Sequence, residues 1–161
     1  MRWRDKEEEA WERKEEARQF KNNTLYLRKH YQSINLLKAE IQQLEEEKKR
    51  IYENYPNFDW TQVKVNNGSK SDPTFQAVTR LRELEERHFW SSYTLKTLEW
   101  ARDQLPPEDK QLFDGYILEA RPISEISRRT GLTWDTVKRR LVQVCEKMVD
   151  RLTLFLEEDC K

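Results

Sequence analysis

The 161 residues have room for one domain, or for a small domain plus an extended helical element. Charged residues make up 37% and apolar ones 36%, with three glycines and five prolines, a balance that suits long solvated helices and excludes one large globule. Lys plus Arg equals Asp plus Glu at 30 each, so no overall basicity marks a nucleic-acid partner and any such signal must be local.

The N-terminal text, MRWRDKEEEAWERK, is charged throughout and the apolar runs are short. Neither a signal peptide nor a membrane span is therefore expected, and a cytoplasmic protein with no membrane partner is. Trp3, Ala10, Trp11, Ala17 and Phe20 follow helical spacing irregularly, which leaves this arm either frayed or helical beside a partner. From Leu27 through Ile34, Leu37, Ile41, Leu44, Ile51 and Tyr55 the apolar residues recur alternately three and four apart, the seam of a coiled coil, with Lys48 as a polar interruption. The run Glu45-Glu46-Glu47-Lys48-Lys49-Arg50 pairs opposite signs one turn apart, so it reads as a solvated face. This first helix should stop near Tyr55, because Pro56 cannot donate a backbone hydrogen bond and restricts its neighbour.

The loop that follows holds the one strand-like stretch, Trp60 to Val65, and then Asn67-Gly68, a turn signal. Asp72 and Pro73 suit a helix cap and first helical position, and the helix they open carries Ala77, Leu81, Leu84, Leu95, Leu98 and Leu105, with His88 and Ser91 on the same stripe. Two long helices joined in this way suggest an antiparallel hairpin, although the seam fits pairing between chains equally well. His30 and His88 read as satisfied buried histidines, and Trp60, Trp90 and Trp100 as packing residues. Cys145 and Cys160 lack ligand-like spacing and read as plain thiols. With no Gly-rich phosphate loop and no nucleophile beside a base, neither an enzyme nor a cofactor nor a metal site is expected.

From Leu105 the text changes. Pro107 should start a helix carrying Leu112, Phe113, Tyr116 and Ile117 on one face and ending before Pro122. A short helix from Ile123 to Thr130 follows, with Ile126 inward and Ser127 small where another helix approaches. Gly131 suits the left-handed residue of a tight turn, and Thr133 can cap a third helix whose apolar face is Val137, Leu141, Val144, Cys145, Met148 and Leu152. This is the order of a helix-turn-helix, in which the front of the second helix enters the major groove of duplex DNA. By helical direction Thr133, Trp134, Asp135, Lys138 and Arg139 would reach base edges, and Arg128, Arg129, Thr136, Arg140 and Lys147 would reach phosphates. Between Arg121 and Arg151 basic residues outnumber acidic ones by eight to four, so the charge absent from the whole chain gathers here.

At Leu105-Pro106, Glu125-Ile126-Ser127, Gly131-Leu132-Thr133 and Thr136-Val137-Lys138-x-Arg140-Leu141 the chain resembles region 4 of sigma-70-type factors, as small phage regulators use it. The text from Phe58-Asp59-Trp60 through Val63-Lys64-Val65 to Ser71-Asp72-Pro73-Thr74 is similar to the phage regulators of the ArpU and RinA group. The resemblance implies docking on promoter DNA, contact with bacterial RNA polymerase, and activation of late genes in phages or prophages. Nothing upstream resembles the region of a sigma factor that melts DNA. The expected protein is all-α: a long helical hairpin or coiled coil over residues 1–104, with a loop at 56–73, then a three-helix helix-turn-helix domain over 105–161. Its expected role is transcription regulation at the nucleoid, as a homodimer through the long helices. The alternatives are the small DNA-recognition subunit of a phage packaging terminase and an adaptor that binds polymerase alone.

Overall fold

The structure, a computed structural model, describes residues 3–55 and 73–156. Among these the chain is all-α: α1 (Trp3–Gln32), α2 (Ile34–Asn54), α3 (Pro73–Asp103), α4 (Pro107–Phe113) continued by a π turn (Asp114–Leu118), α5 (Ile123–Thr130) and α6 (Trp134–Leu156). None of these helices is long and apolar enough to cross a membrane. The strand-like stretch from Trp60 to Val65, the Asn67-Gly68 turn and Cys160 lie outside the described residues.

The single first helix expected up to Tyr55 is two helices. Ser33 interrupts it, its Oγ donating to the carbonyls of Lys29 and His30 at 3.0 and 2.9 Å. Ser hydroxyls that bond back to the preceding turn bend helices. The apolar spacing slips at the same place: Phe20, Thr24, Leu27, Tyr31 and Ile34 form one alternating series, and Ile34, Leu37, Ile41 and Leu44 form another in a different phase.

The two series serve two compact units. One unit spans Asn35–Lys96 and consists of α2 and most of α3. Here Leu44 is buried with Val78, Leu81 and Leu84, and polar pairs flank them: Glu47 with Arg80 at 2.9 Å, Glu40 with Arg87 at 3.3 Å and Glu45 with His88 at 3.1 Å. Numbers rise on α2 as they fall on α3, so the seam closes as an antiparallel hairpin within one chain. Exposed ion pairs contribute only about 0–1 kcal/mol each. The buried leucines therefore hold the hairpin and the pairs set its register. His88 is a half-exposed partner of Glu45, not a buried core histidine, and Trp90 and Trp100 are exposed where packing was expected, because both lie off the stripe that Leu81, Leu84 and Leu98 bury.

The other unit joins Met1–Ile34 to Thr97–Lys161, so α1 groups with the C-terminal helices and not with the hairpin. Leu112, Phe113, Ile117, Ile126, Val137, Leu141, Val144, Cys145, Met148 and Leu152 are buried in it. α1 adds Leu27 and Tyr31, the latter with its hydroxyl donating to the Leu98 carbonyl at 2.8 Å and its ring edge-on to Phe113 at 5.1 Å. Phe20 stacks on Tyr116 at 5.7 Å, and the Arg28 guanidinium lies 4.7 Å from the same ring while donating to the Tyr116 carbonyl at 3.1 Å. That carbonyl belongs to the π turn, which closes with Glu119 N bonded to Asp114 O and, across Ala120, left-handed at φ 51°, Arg121 N bonded to Gly115 O. Asp114 is gripped by Arg102 through two bonds of 2.7 and 2.6 Å.

Burial in this unit raises the Tyr31 phenol and pushes the Cys145 thiol up from 9.0 to about 12, since both environments disfavour the anion. The unfolded chain releases these protons first, so each group's contribution is intact below its unfolded pKa and is lost as pH rises through the folded one. Stability should accordingly fall above pH 9, by about 1.4 kcal/mol per pH unit for each ionising group. Urea melts of Cys145→Ala between pH 9 and 10 should show a flatter slope than the parent chain, Tyr31 contributing only at higher pH.

Candidate nucleic-acid interface

The local chemistry of α5, the turn and α6 leaves little freedom. α5 ends at Gly131, which sits left-handed at φ 73° and ψ 5° with its N–H bonded to the Ser127 carbonyl. The Ser127 hydroxyl donates to the Leu132 carbonyl, and the Thr130 hydroxyl donates to the Ile126 carbonyl at 2.8 Å, so two side chains satisfy backbone groups the turn exposes. Thr133 then caps α6: its Oγ1 accepts from the Thr136 N–H at 3.3 Å and pairs with the Thr136 hydroxyl at 2.7 Å. Beneath the turn, Leu112, Ile126, Val137 and Leu141 form a buried cluster against which Phe20, Tyr116, Ile123 and Leu132 pack.

With Val137 and Leu141 inward, the helical period turns Asp135 and Arg139 to the opposite side of α6. Thr133, Trp134, Asp135, Lys138 and Arg139 are all exposed. The Lys138 ammonium lies 5.1 Å from the centre of the Trp134 ring, a cation–π contact of about 0.5–1 kcal/mol at an exposed site. Trp134 thereby steadies a long side chain without taking its charge away.

The residues expected at phosphates are less uniform. Arg128, Arg129 and Lys147 are exposed, but Arg129 pairs with Glu125 at 3.1 Å. Arg140 is half-buried and pairs with Glu108 of α4 at 3.2 Å, and the Thr136 hydroxyl is engaged by Thr133. Among the described residues Arg128, Arg139 and Lys147 are the cations of this set and the base-reading set that no ion pair or ring contact holds.

One wall of the site is a helix that sequence reasoning did not place there. A cleft of about 530 Å³ runs between α1 and α6, with Glu16, Gln19, Phe20 and Asn23 on one side and Asp135, Lys138, Arg139 and Glu146 among the residues of the other. The signal that points to this wall is the series Phe20, Thr24, Leu27 and Tyr31, whose apolar character is broken by Thr24, itself buried. The cleft sets three carboxylates, Glu16, Asp135 and Glu146, and three carboxamides, Gln19, Asn23 and Gln143, beside Lys138 and Arg139 of α6.

Compared with protein-family models, curated proteins and solved structures, the chain matches none.

Two substitutions test the turn. Around Gly131 nothing lies within 4 Å of an added Cβ, so Gly131→Ala should cost only the left-handed strain, about 1–2 kcal/mol, without a clash. Thr133→Ala should cost about 1 kcal/mol through loss of the cap. Thermal melts followed by circular dichroism measure both, and a loss well above these values at Gly131 would mean that the turn packs more tightly than its geometry indicates.

Proposed function

We propose that this chain is a sequence-specific regulator of transcription that reads duplex DNA with the front of α6. The observation that carries the reading is that α6 buries Val137 and Leu141 while its front leaves Trp134, Asp135, Lys138 and Arg139 exposed, immediately after a rigid turn from α5. A helix presented in this way fits the major groove, and the phosphate-facing groups flank it. Lys138 and Arg139 can donate to the N7 and O6 acceptors of guanine, Asp135 can accept from the cytosine amino group, and Thr133 or Trp134 can cover a thymine methyl. Arg128, Arg129, Arg140 and Lys147, with the Thr136 hydroxyl, supply backbone contacts that position the helix without carrying sequence information. The resemblance to phage regulators supports the reading that this activity serves late promoters in a bacterial host, beside RNA polymerase.

The wall of α1 modifies the electrostatics. Glu16 opposes the approach of phosphates, as does Glu146 across the cleft on α6, whereas Gln19 and Asn23 carry the amide pair that suits adenine edges. Binding therefore depends on a few local cations in an otherwise balanced chain, and affinity should fall steeply with added salt as counterions are released.

The test is a selection from random duplexes followed by gel shifts. Lys138→Ala combined with Arg139→Ala should remove discrimination between the selected site and random DNA, at about 1–3 kcal/mol for each lost base contact. Unchanged discrimination removes these residues from the reading set, and no shift of any duplex at low salt sinks the proposal. Glu16→Gln should raise affinity at low salt by roughly two- to fivefold, an effect that fades as salt screens the charge.

A further inference from the structure

The seam of the hairpin is occupied within one chain, so assembly has to use another face. On α3, away from Leu81 and Leu84, the residues Arg82, Glu86, Phe89, Tyr93 and Lys96 recur four, three, four and three apart, so they line one stripe on the outer side of the same helix. Its centre is aromatic. Phe89 is 59% exposed and Trp90 41%, and the rings of Phe89, Trp90 and Tyr93 already touch, Phe89 lying 5.2 Å from Trp90 and 6.4 Å from Tyr93. Isolated apolar residues on a surface are ordinary, but a pre-assembled cluster of three rings flanked by opposite charges marks an interaction surface.

We infer that this face binds a second copy of the chain, antiparallel, about a two-fold axis near Ser91. The argument is self-complementarity. A two-fold interface requires that residue i meet residue j and that j meet i. With the axis at that level, Phe89 meets Tyr93 of the second copy, and Glu86 meets Lys96 of the second copy, each contact occurring twice. A parallel, in-register pairing instead sets Glu86 against Glu86 and Lys96 against Lys96, which repel. The acid before the aromatic cluster and the base after it therefore select the antiparallel arrangement. The dimer rests on α3 alone and stands without the DNA reading; where that reading holds, it supplies a second α6 and with it a second half-site.

Sedimentation equilibrium on the full chain across a wide concentration range, with circular dichroism to confirm folding, tests the assembly. The parent chain should dimerise reversibly. Glu86→Lys and Lys96→Glu, each placing like charges opposite one another at two symmetric positions, should each weaken the dimer on the order of tenfold, and the combined swap should restore it. Phe89→Ser should yield a folded monomer, because its side chain points away from the hairpin. A parent chain that stays monomeric throughout overturns the inference and leaves the aromatic face to a different protein. A dimer indifferent to the single substitutions, or one that the double swap does not rescue, overturns it as well.

Discussion

The burial of one face of α6 is the constraint from which the rest of the C-terminal unit follows. Val137, Leu141, Cys145, Met148 and Leu152 are completely enclosed, and Val144 nearly so. Each such side chain is stabilised by roughly 1.5–3 kcal/mol for leaving water. With that face committed, the helical period turns Asp135 and Arg139 outward and Lys138 to its edge, while Trp134, on the same stripe as Val137 and Leu141, stays exposed in the first turn. Gly131 and Thr133 then decide where α6 begins, and α5 is held at a fixed angle by Ile126 beneath it. The outward residues are thus presented by a packed core and two turn residues, so they need no order of their own.

The second dependence is on α1. Through Leu27 and Tyr31 it completes the core that α4, the π turn and α6 leave open, and through Phe20 it reaches the cluster under the turn. The π turn is part of the same fit. It offers Tyr116 to Phe20 on one side and its carbonyl to Arg28 on another, while Arg102 anchors Asp114 at its start. The left-handed conformation of Ala120, unfavourable for any residue with a Cβ, is tolerated because these contacts over-determine the segment.

What the amino-acid sequence made legible was local. Pro107, Pro122, Gly131 and Thr133 each act on their immediate neighbours, so the bounds of α4, α5 and α6 could be read from them, as could the inward residues of α6 from their spacing. The break at Ser33 was less legible: Ser has no strong preference of its own, and the one-residue slip in phase at Ile34 shows only when Thr24 is counted as a seam position. For the place of α1 the one signal was the series Phe20, Thr24, Leu27 and Tyr31, and a buried Thr and a half-buried Phe do not announce which of two surfaces they will meet. Trp90 and Trp100 misled for the opposite reason. Tryptophan is buried on average, yet helical geometry placed both on the side of α3 that the hairpin does not use.

These two departures bear on the same question, which is how a chain with no net charge would hold duplex DNA as proposed. The cations of α6 face a wall that includes Glu16, and Arg129 and Arg140 already have acidic partners in Glu125 and Glu108. A phosphate backbone approaching this surface must therefore compete with carboxylates the protein supplies itself. Such competition weakens binding to DNA of any sequence, since phosphates are common to all of it, and leaves base contacts as the terms that distinguish one site from another. A single weakly attracted helix reads few base pairs, so an arrangement of this kind gains most from a second copy on the same duplex. The outer face of α3, with three clustered rings between Glu86 and Lys96, is the surface inferred above to receive that copy.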